Sequence, residues 1–274
     1  MTGGASLVAV LAACHGAALL VSAMALLRRG KAAAHAGLWP LVAALVLNSV
    51  ILAGRWIEGG RPPFKTLYET LLFYPWCVTV VTVVLVGVHG LGILIPCAAG
   101  VSLAGLGYAL WRPDVGIVNL PPALQSGWFV PHVVTYFVAY AALFVSFSLA
   151  LLSLLSPAWL RMRGAPPGDA RPSAFARHAH RSAVFGICAL TAGLVMGGVW
   201  GKYAWGSYWS WDPKENWALV SWLAYVLYLH LRLMEGWRER RAMGVLVGAF
   251  CAVVFTYLGM SLLPASEGSL HVYQ

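Results

Sequence analysis

The stretch HVVTYFVAYAALFVSFSLALLSLL, residues 132–155, holds no carboxylate, amine or guanidinium. A helix needs roughly 20 mostly apolar residues to cross the hydrocarbon core of a bilayer. This run is long enough, and its one group that titrates near neutral pH, His132, stands at its edge. Seven further apolar runs lie on either side, approximately 5–27, 36–57, 67–88, 91–110, 182–200, 216–234 and 243–263. The tightest boundary is His89–Gly90, where a very short turn has to separate two of them. The 274-residue chain as a whole is 60% hydrophobic and 10% charged, with a mean hydropathy of +0.76. Soluble domains rarely have such a composition. The expected fold is therefore all-α: a single integral membrane domain over 1–274, built as a polytopic bundle of about eight transmembrane helices.

Charge gives the expected orientation. The net charge of +9 reads as basic loops rather than a nucleic-acid surface. Arg28, Arg29 and Lys31 follow the first run, Arg161, Arg163, Arg171, Arg177 and Arg181 follow the fifth, and Arg232, Arg238, Arg240 and Arg241 flank the end of the seventh. That is twelve of the eighteen basic residues on one side, which the positive-inside rule places in the cytoplasm. Both termini then lie outside, as do the segment 111–131, the loop 201–216 and the tail 264–274. The Pro-, Gly- and Arg-rich segment 157–181 reads as a cytoplasmic loop. The first run has its basic residues after it and none before it, unlike a cleavable signal peptide. The five cysteines are scattered through apolar runs with no C-x-x-C, which argues against a disulfide framework or a zinc site. No Walker sequence, nucleotide fingerprint or Ser–His–Asp set stands out.

Two features are left for chemistry. The first is WGSYWSWDPKENW, residues 205–217, where Trp205, Tyr208, Trp209, Trp211 and Trp217 crowd around Asp212 and a Lys214–Glu215 pair. The second is the set of eight histidines. His178 and His180 fall in the basic loop, His35 and His89 near cytoplasmic ends, and His15 inside the first run; these read as structural or incidental. His132 and His271 lie on the same expected face as the aromatic loop. Two imidazoles from opposite sides can fill the axial positions of a haem iron, and aromatic side chains suit a flat macrocycle. The alternative is an interfacial Trp/Tyr belt with two unrelated histidines. His230 lies late in the seventh run, where an ionisable group is costly and a functional candidate. It reads either as a ligand for a second, deeper haem or as a histidine bonded between helices.

WGSYWSWDPKENWALVSWL resembles the tryptophan-rich WWD signature of haem-handling proteins of c-type cytochrome assembly. Its WDPKE ending is similar to the CcsA/ResC branch of the System II machinery, where the CcmC branch continues WDARLTS. PFKTLYETLLF (63–73), LPPALQSGWFVPHVVTYFVAYAAL (120–143) and the tail LHVY (270–273) match the same branch in order. The likeness covers nearly the whole chain from about residue 55. One departure is Asn216, where the branch often has Thr, a change expected to be harmless.

The resemblance implies a subunit of a cytochrome c haem lyase (synthetase), in the bacterial inner membrane or a thylakoid-type membrane. Such a protein transports haem b and presents it on the outer face for thioether formation with the C-x-x-C-H thiols of an apocytochrome c. It implies His132 and His271 as external axial ligands and His230 as a ligand of an intramembrane haem. The opposite ligand there would come from a CcsB/ResB-type membrane subunit, or from His15 or His89. Trp205, Tyr208, Trp209, Trp211 and Asp212 would form the haem cradle. Lys202 and Lys214 would neutralise propionates, unless Lys214 pairs with Asp212 or Glu215. No side chain of the protein itself would be catalytic beyond positioning haem, and a thiol-reducing protein is a further expected partner. The other readings are a CcmC-like haem carrier without ligation activity and a haem-free membrane assembly factor.

Overall fold

The computed structural model describes residues 2–27, 35–111, 116–162, 171–234 and 239–259. Among them every regular element is helical. They form two compact units, Met1–Pro121 and Pro122–Tyr273.

The first unit contains α1 (Thr2–Leu27), α2 (Leu38–Gly59), α3 (Leu67–His89) and α4 (Leu94–Trp111). The helices form a ring, with α1 and α3 each packed against both α2 and α4. Two apolar layers fill the centre. One holds Val8, Leu11, Ala44, Ile51, Leu72 and Leu106, and the other Ala18, Leu41, Val86, Ile95 and Ala99. On their helices, buried His15, Thr79, Thr82 and Ser102 fall between these layers. His15 is thus a core residue, and its Nδ1 has no hydrogen-bond partner among the described residues. The expected tight turn is present. Gly90 caps α3 at φ 64°, a left-handed conformation that glycine adopts without penalty, and its N–H donates to the Val86 carbonyl.

The start of α3 is pinned electrostatically. Thr66 and Glu69 make a reciprocal capping box. The buried Glu69 carboxylate also takes a two-pronged bond from Arg61, at 3.1 Å on each oxygen, with the Arg55 guanidinium 3.7 Å away. Arg61 Nε and Lys65 Nζ donate onward to the Val118 and Asn119 carbonyls, which ties the 116–121 segment to α3. On α2, Trp39 and Trp56 are 80% and 50% exposed. Their spacing along the helix is about 26 Å, close to the thickness of a bilayer core. Tryptophans in such positions mark membrane–water interfaces.

The second unit begins with a short 3₁₀ turn, Pro122–Leu124, followed by α5 (Phe129–Met162), α6 (Arg171–Trp205), α7 (Pro213–Leu233) and α8 (Glu239–Tyr257). Again the helices close a ring, in which α5 packs on α6 and α8, and α7 on α6 and α8. The α5–α6 pair is the most intimate. Gly186 faces Leu143, Gly193 faces the Tyr136 ring and Gly197 faces the His132 imidazole. Each step up α6 matches an equal step down α5, as an antiparallel register requires. Near the far end, Ser146 and Ser153 donate to the Ala179 and Pro172 carbonyls at 2.9 Å. Small residues spaced along one face let two helices approach closely where no hydrophobic force drives them together.

The helix count agrees with the sequence reading, with one difference in apolarity and two of extent. Among the described residues seven helices are long and apolar enough to cross a membrane; α7 is less apolar than these. Its Trp217, Trp222, Tyr225, Tyr228 and His230 are bulky but carry polar atoms, and Lys214, Glu215 and Arg232 sit near its ends. The segment 157–181, expected to be a loop, is helical at 157–162 and 171–181. Pro172 sits in the first turn of α6, where its missing N–H costs nothing. The loop expected over 201–216 is likewise shorter: α6 runs through Trp205 and α7 begins at Pro213.

Candidate functional site

The aromatic loop is built from the helix ends that bracket it. At the end of α6 the Gly206 N–H donates to the Lys202 carbonyl, and the Lys202 ammonium donates to the Gly206 carbonyl at 2.9 Å. That ammonium also sits 5.7 Å from the centre of the Tyr208 ring. The chain then turns back along α6. The Ser207 and Tyr208 carbonyls pass so close to Gly201 and Gly198 that a Cβ there would lie 3.2 Å from them.

The WDPKE sequence is, locally, a helix start. Asp212 is the N-cap of α7, accepting from the Lys214 N–H at 2.9 Å, and Pro213 fills the first helical position. Glu215 reaches back to the N–H groups of Asp212 (3.1 Å) and Ser210 (2.8 Å). Both carboxylates of the motif therefore orient backbone, and Asp212 itself is buried. Trp211 has φ 60°, a left-handed conformation costly for a bulky residue, on the order of 1–3 kcal/mol. Asn216 holds it there, its amide donating to the Trp211 carbonyl at 3.0 Å. Position 216, where the change from threonine was expected to be harmless, thus has a local role in holding the loop. The indole of Trp211 is 69% exposed and meets Trp209 edge to face at 5.9 Å.

His132 sits in the first turn of α5, half-buried. Its Nδ1 lies 2.9 Å from the Gly193 carbonyl. A carbonyl only accepts, so in the neutral ring Nδ1 carries the proton and Nε2 the lone pair. The ring stacks on Trp200 (centroids 5.5 Å apart, 28° between planes) and tilts against Tyr136 at 4.8 Å. Trp200 is itself fixed, donating to the Ala123 carbonyl and meeting Trp205 at 4.6 Å and Phe129 at 5.6 Å. His132, Trp200 and Trp205 thus form one aromatic group, and the Tyr208 backbone crosses α6 at Gly198, next to the glycine under His132.

His230 lies at the other end of α7, about 27 Å along the helix from Asp212. Its side chain is exposed. His271 lies outside the described residues. Sequence reasoning passed over His180. Its Nδ1 is 2.9 Å from the hydroxyl of fully buried Tyr228, joining α6 to α7 two residues from His230. No pattern in the sequence pairs those two residues; the contact follows from how the helices pack.

Comparison with known proteins places this arrangement. The family model described as "Cytochrome C assembly protein" matches residues 64–266. The chain belongs to that family. This family member is of the CcsA type. It is 33% identical over 253 residues to the cytochrome c biogenesis protein CcsA of Prochlorococcus marinus, covering 81% of this chain and 80% of that one. It is 36% identical over 236 residues to CcsA of Chlamydomonas reinhardtii, covering 83% and 65%. The assembly-protein fold is also that of a solved structure, the cytochrome c haem lyase CcmF, with a TM-score of 0.71 at 16% identity. The alignment covers 93% of this chain and 46% of that one, so the chain spans under half its length.

Proposed function

We propose that the chain binds haem b beside the 206–212 loop and presents it for covalent attachment to an apocytochrome c. The observation that carries this reading is the His132 imidazole, its proton committed to the Gly193 carbonyl, standing next to a loop with an exposed Tyr208 and Trp211. Exposed rings and one oriented imidazole nitrogen fit a flat macrocycle with an axial iron site. The names of the relatives, cytochrome c biogenesis protein and cytochrome c haem lyase, support the same chemistry.

In this reading His132 and His271 are the two axial ligands of the outer haem, and the indoles of Trp205, Trp209 and Trp211 and the phenol of Tyr208 cover its faces. Asp212 acts through the loop, as its cap. Lys202, already bound to the Gly206 carbonyl, stiffens the loop. The reaction adds each C-x-x-C-H thiol across one haem vinyl group: an S–C bond forms and the thiol proton passes to the neighbouring carbon. The substrate supplies the nucleophile, so the protein's contribution is positioning. His230 is one ligand of a deeper haem. Its exposure suits a second ligand from a CcsB-type membrane subunit better than one from His15, which is enclosed in the first unit.

The visible spectrum of the purified protein tests the function. A Soret band with sharp reduced α and β bands is expected, and freshly isolated protein without them would exclude a low-spin haem site. The proposed orientation puts the 206–212 loop and both termini outside. Reporter fusions after residues 165 and 272 should then report opposite faces of the membrane; the same face for both would overturn it.

A further inference from the structure

We propose that Gly193 and Gly197 are positioning residues for the His132 imidazole, one fixing its tautomer and the other forming the floor against which the ring lies. This rests on the reading of His132 as an iron ligand and adds what aims it. The Gly193 carbonyl takes the Nδ1 proton at 2.9 Å, which leaves Nε2 as the nitrogen with a lone pair for iron. Such a hydrogen bond to a ligand's second nitrogen orients the ring and raises its basicity.

Gly197, one turn further along α6, has no side chain to keep the ring at a distance. A Cβ at 197 would lie 2.7 Å from His132 Cε1 and 2.9 Å from Nδ1. Real Cβ contacts are never that short, so either the ring or the helix has to move. The ring has little room to yield. Trp200 stacks on it, held by its own bond to the Ala123 carbonyl, and Tyr136 lies against it at 4.8 Å. The nearest relief is rotation of the imidazole, which breaks the 2.9 Å bond and turns Nε2 away from its line. Gly193 shows the same logic one step away, since a Cβ there would strike the Tyr136 ring. The neighbouring glycines differ: Gly198 and Gly201 make room for the returning loop. The run of small residues near the end of α6 therefore serves two purposes, loop passage and ligand aim.

The test compares Gly197→Ala in two backgrounds, using full-length protein purified with and without added imidazole. The readouts are haem per protein and the reduced spectrum. With His132 present, Gly197→Ala should lower the affinity of the outer haem roughly 10–100-fold, the usual effect of losing a residue that orients a metal ligand. In His132→Gly protein supplied with imidazole, the same alanine should cost much less, because a free imidazole is not tethered to α5 and can shift away from the Cβ. Wild-type haem content and spectrum in Gly197→Ala protein would overturn the proposal. Equal losses in both backgrounds would do so too, making Gly197 a helix-packing residue. If His132→Gly alone keeps the complete wild-type spectrum without imidazole, His132 is not a ligand, and the reading on which the proposal rests fails first.

Discussion

His132→Gly protein is expected to lose cytochrome c maturation to background, and imidazole in the growth medium is expected to restore part of it. The substitution removes a ring that the protein holds from three directions: the Gly193 carbonyl, the Trp200 face and the Tyr136 ring. It leaves a slot shaped for an imidazole, bounded by Gly197. A free imidazole entering that slot supplies the missing axial nitrogen but not the covalent tether, so rescue is partial and depends on concentration. Trp211→Ala gives the contrast. That ring contributes apolar contact and no iron ligand, so haem retention should fall by about tenfold, the equivalent of roughly 1.4 kcal/mol, with no response to imidazole. His230→Ala should differ again, depleting haem from both sites if haem enters past it, whereas His132→Ala should keep the deeper haem. Maturation assays and haem per protein for the four variants side by side separate these outcomes. Full maturation by His132→Gly without imidazole would remove His132 from the site.

The fold was legible because the bilayer sets a simple requirement. Runs of about 20 apolar residues leave few alternatives to helices, and the runs were found close to their observed positions. Where the reading erred, the same residue types serve two ends. Proline and arginine mark loops, but Pro172 opens α6 and Arg171, Arg177 and Arg181 lie on that helix. Asp212, expected in the haem cradle, also caps α7 together with Glu215, a role that the pattern D-P-x-E states openly. The T-x-x-E of Thr66 and Glu69 is another capping signature present in the sequence. His132 could be named as a candidate from its position at the head of a run and from the aromatic loop. Its supports were harder to see. Gly193 and Gly197 are visible as small residues at helical spacing, but only the antiparallel register of α5 and α6 shows which of them meets the imidazole. The His180–Tyr228 bond and the exposure of His230 depend on tertiary packing in the same way.

Glu69→Ala is expected to cause a large loss of stability in the first unit. The Glu69 side chain is 2% exposed and Arg61 is 8% exposed. Removing the carboxylate strands the Arg61 guanidinium in a place water scarcely reaches, and leaves Arg55, 13% exposed, beside it. Breaking one partner out of a buried ion pair costs about 3–5 kcal/mol. The capping box goes with it, since the Lys65 and Thr66 N–H groups lose their acceptor, at about 1 kcal/mol more. Against a typical folding stability of about 5–15 kcal/mol, that is enough to lower the yield of folded protein sharply. The cost arises from the stranded charge, which gives a second arm to the measurement. Glu69→Gln keeps an oxygen for the two N–H groups but not the charge, and should fall between wild type and Glu69→Ala. Pairing Glu69→Ala with Arg61→Met removes the stranded charge and should recover part of the loss, a coupling that a double-mutant cycle reads directly. Thermal unfolding in detergent, followed by the fraction remaining monodisperse, ranks the four proteins. A Glu69→Ala protein as heat-resistant as wild type would show that the Arg61–Glu69 pair is solvated in the membrane-bound state and contributes little to holding α2, α3 and the 116–121 segment together.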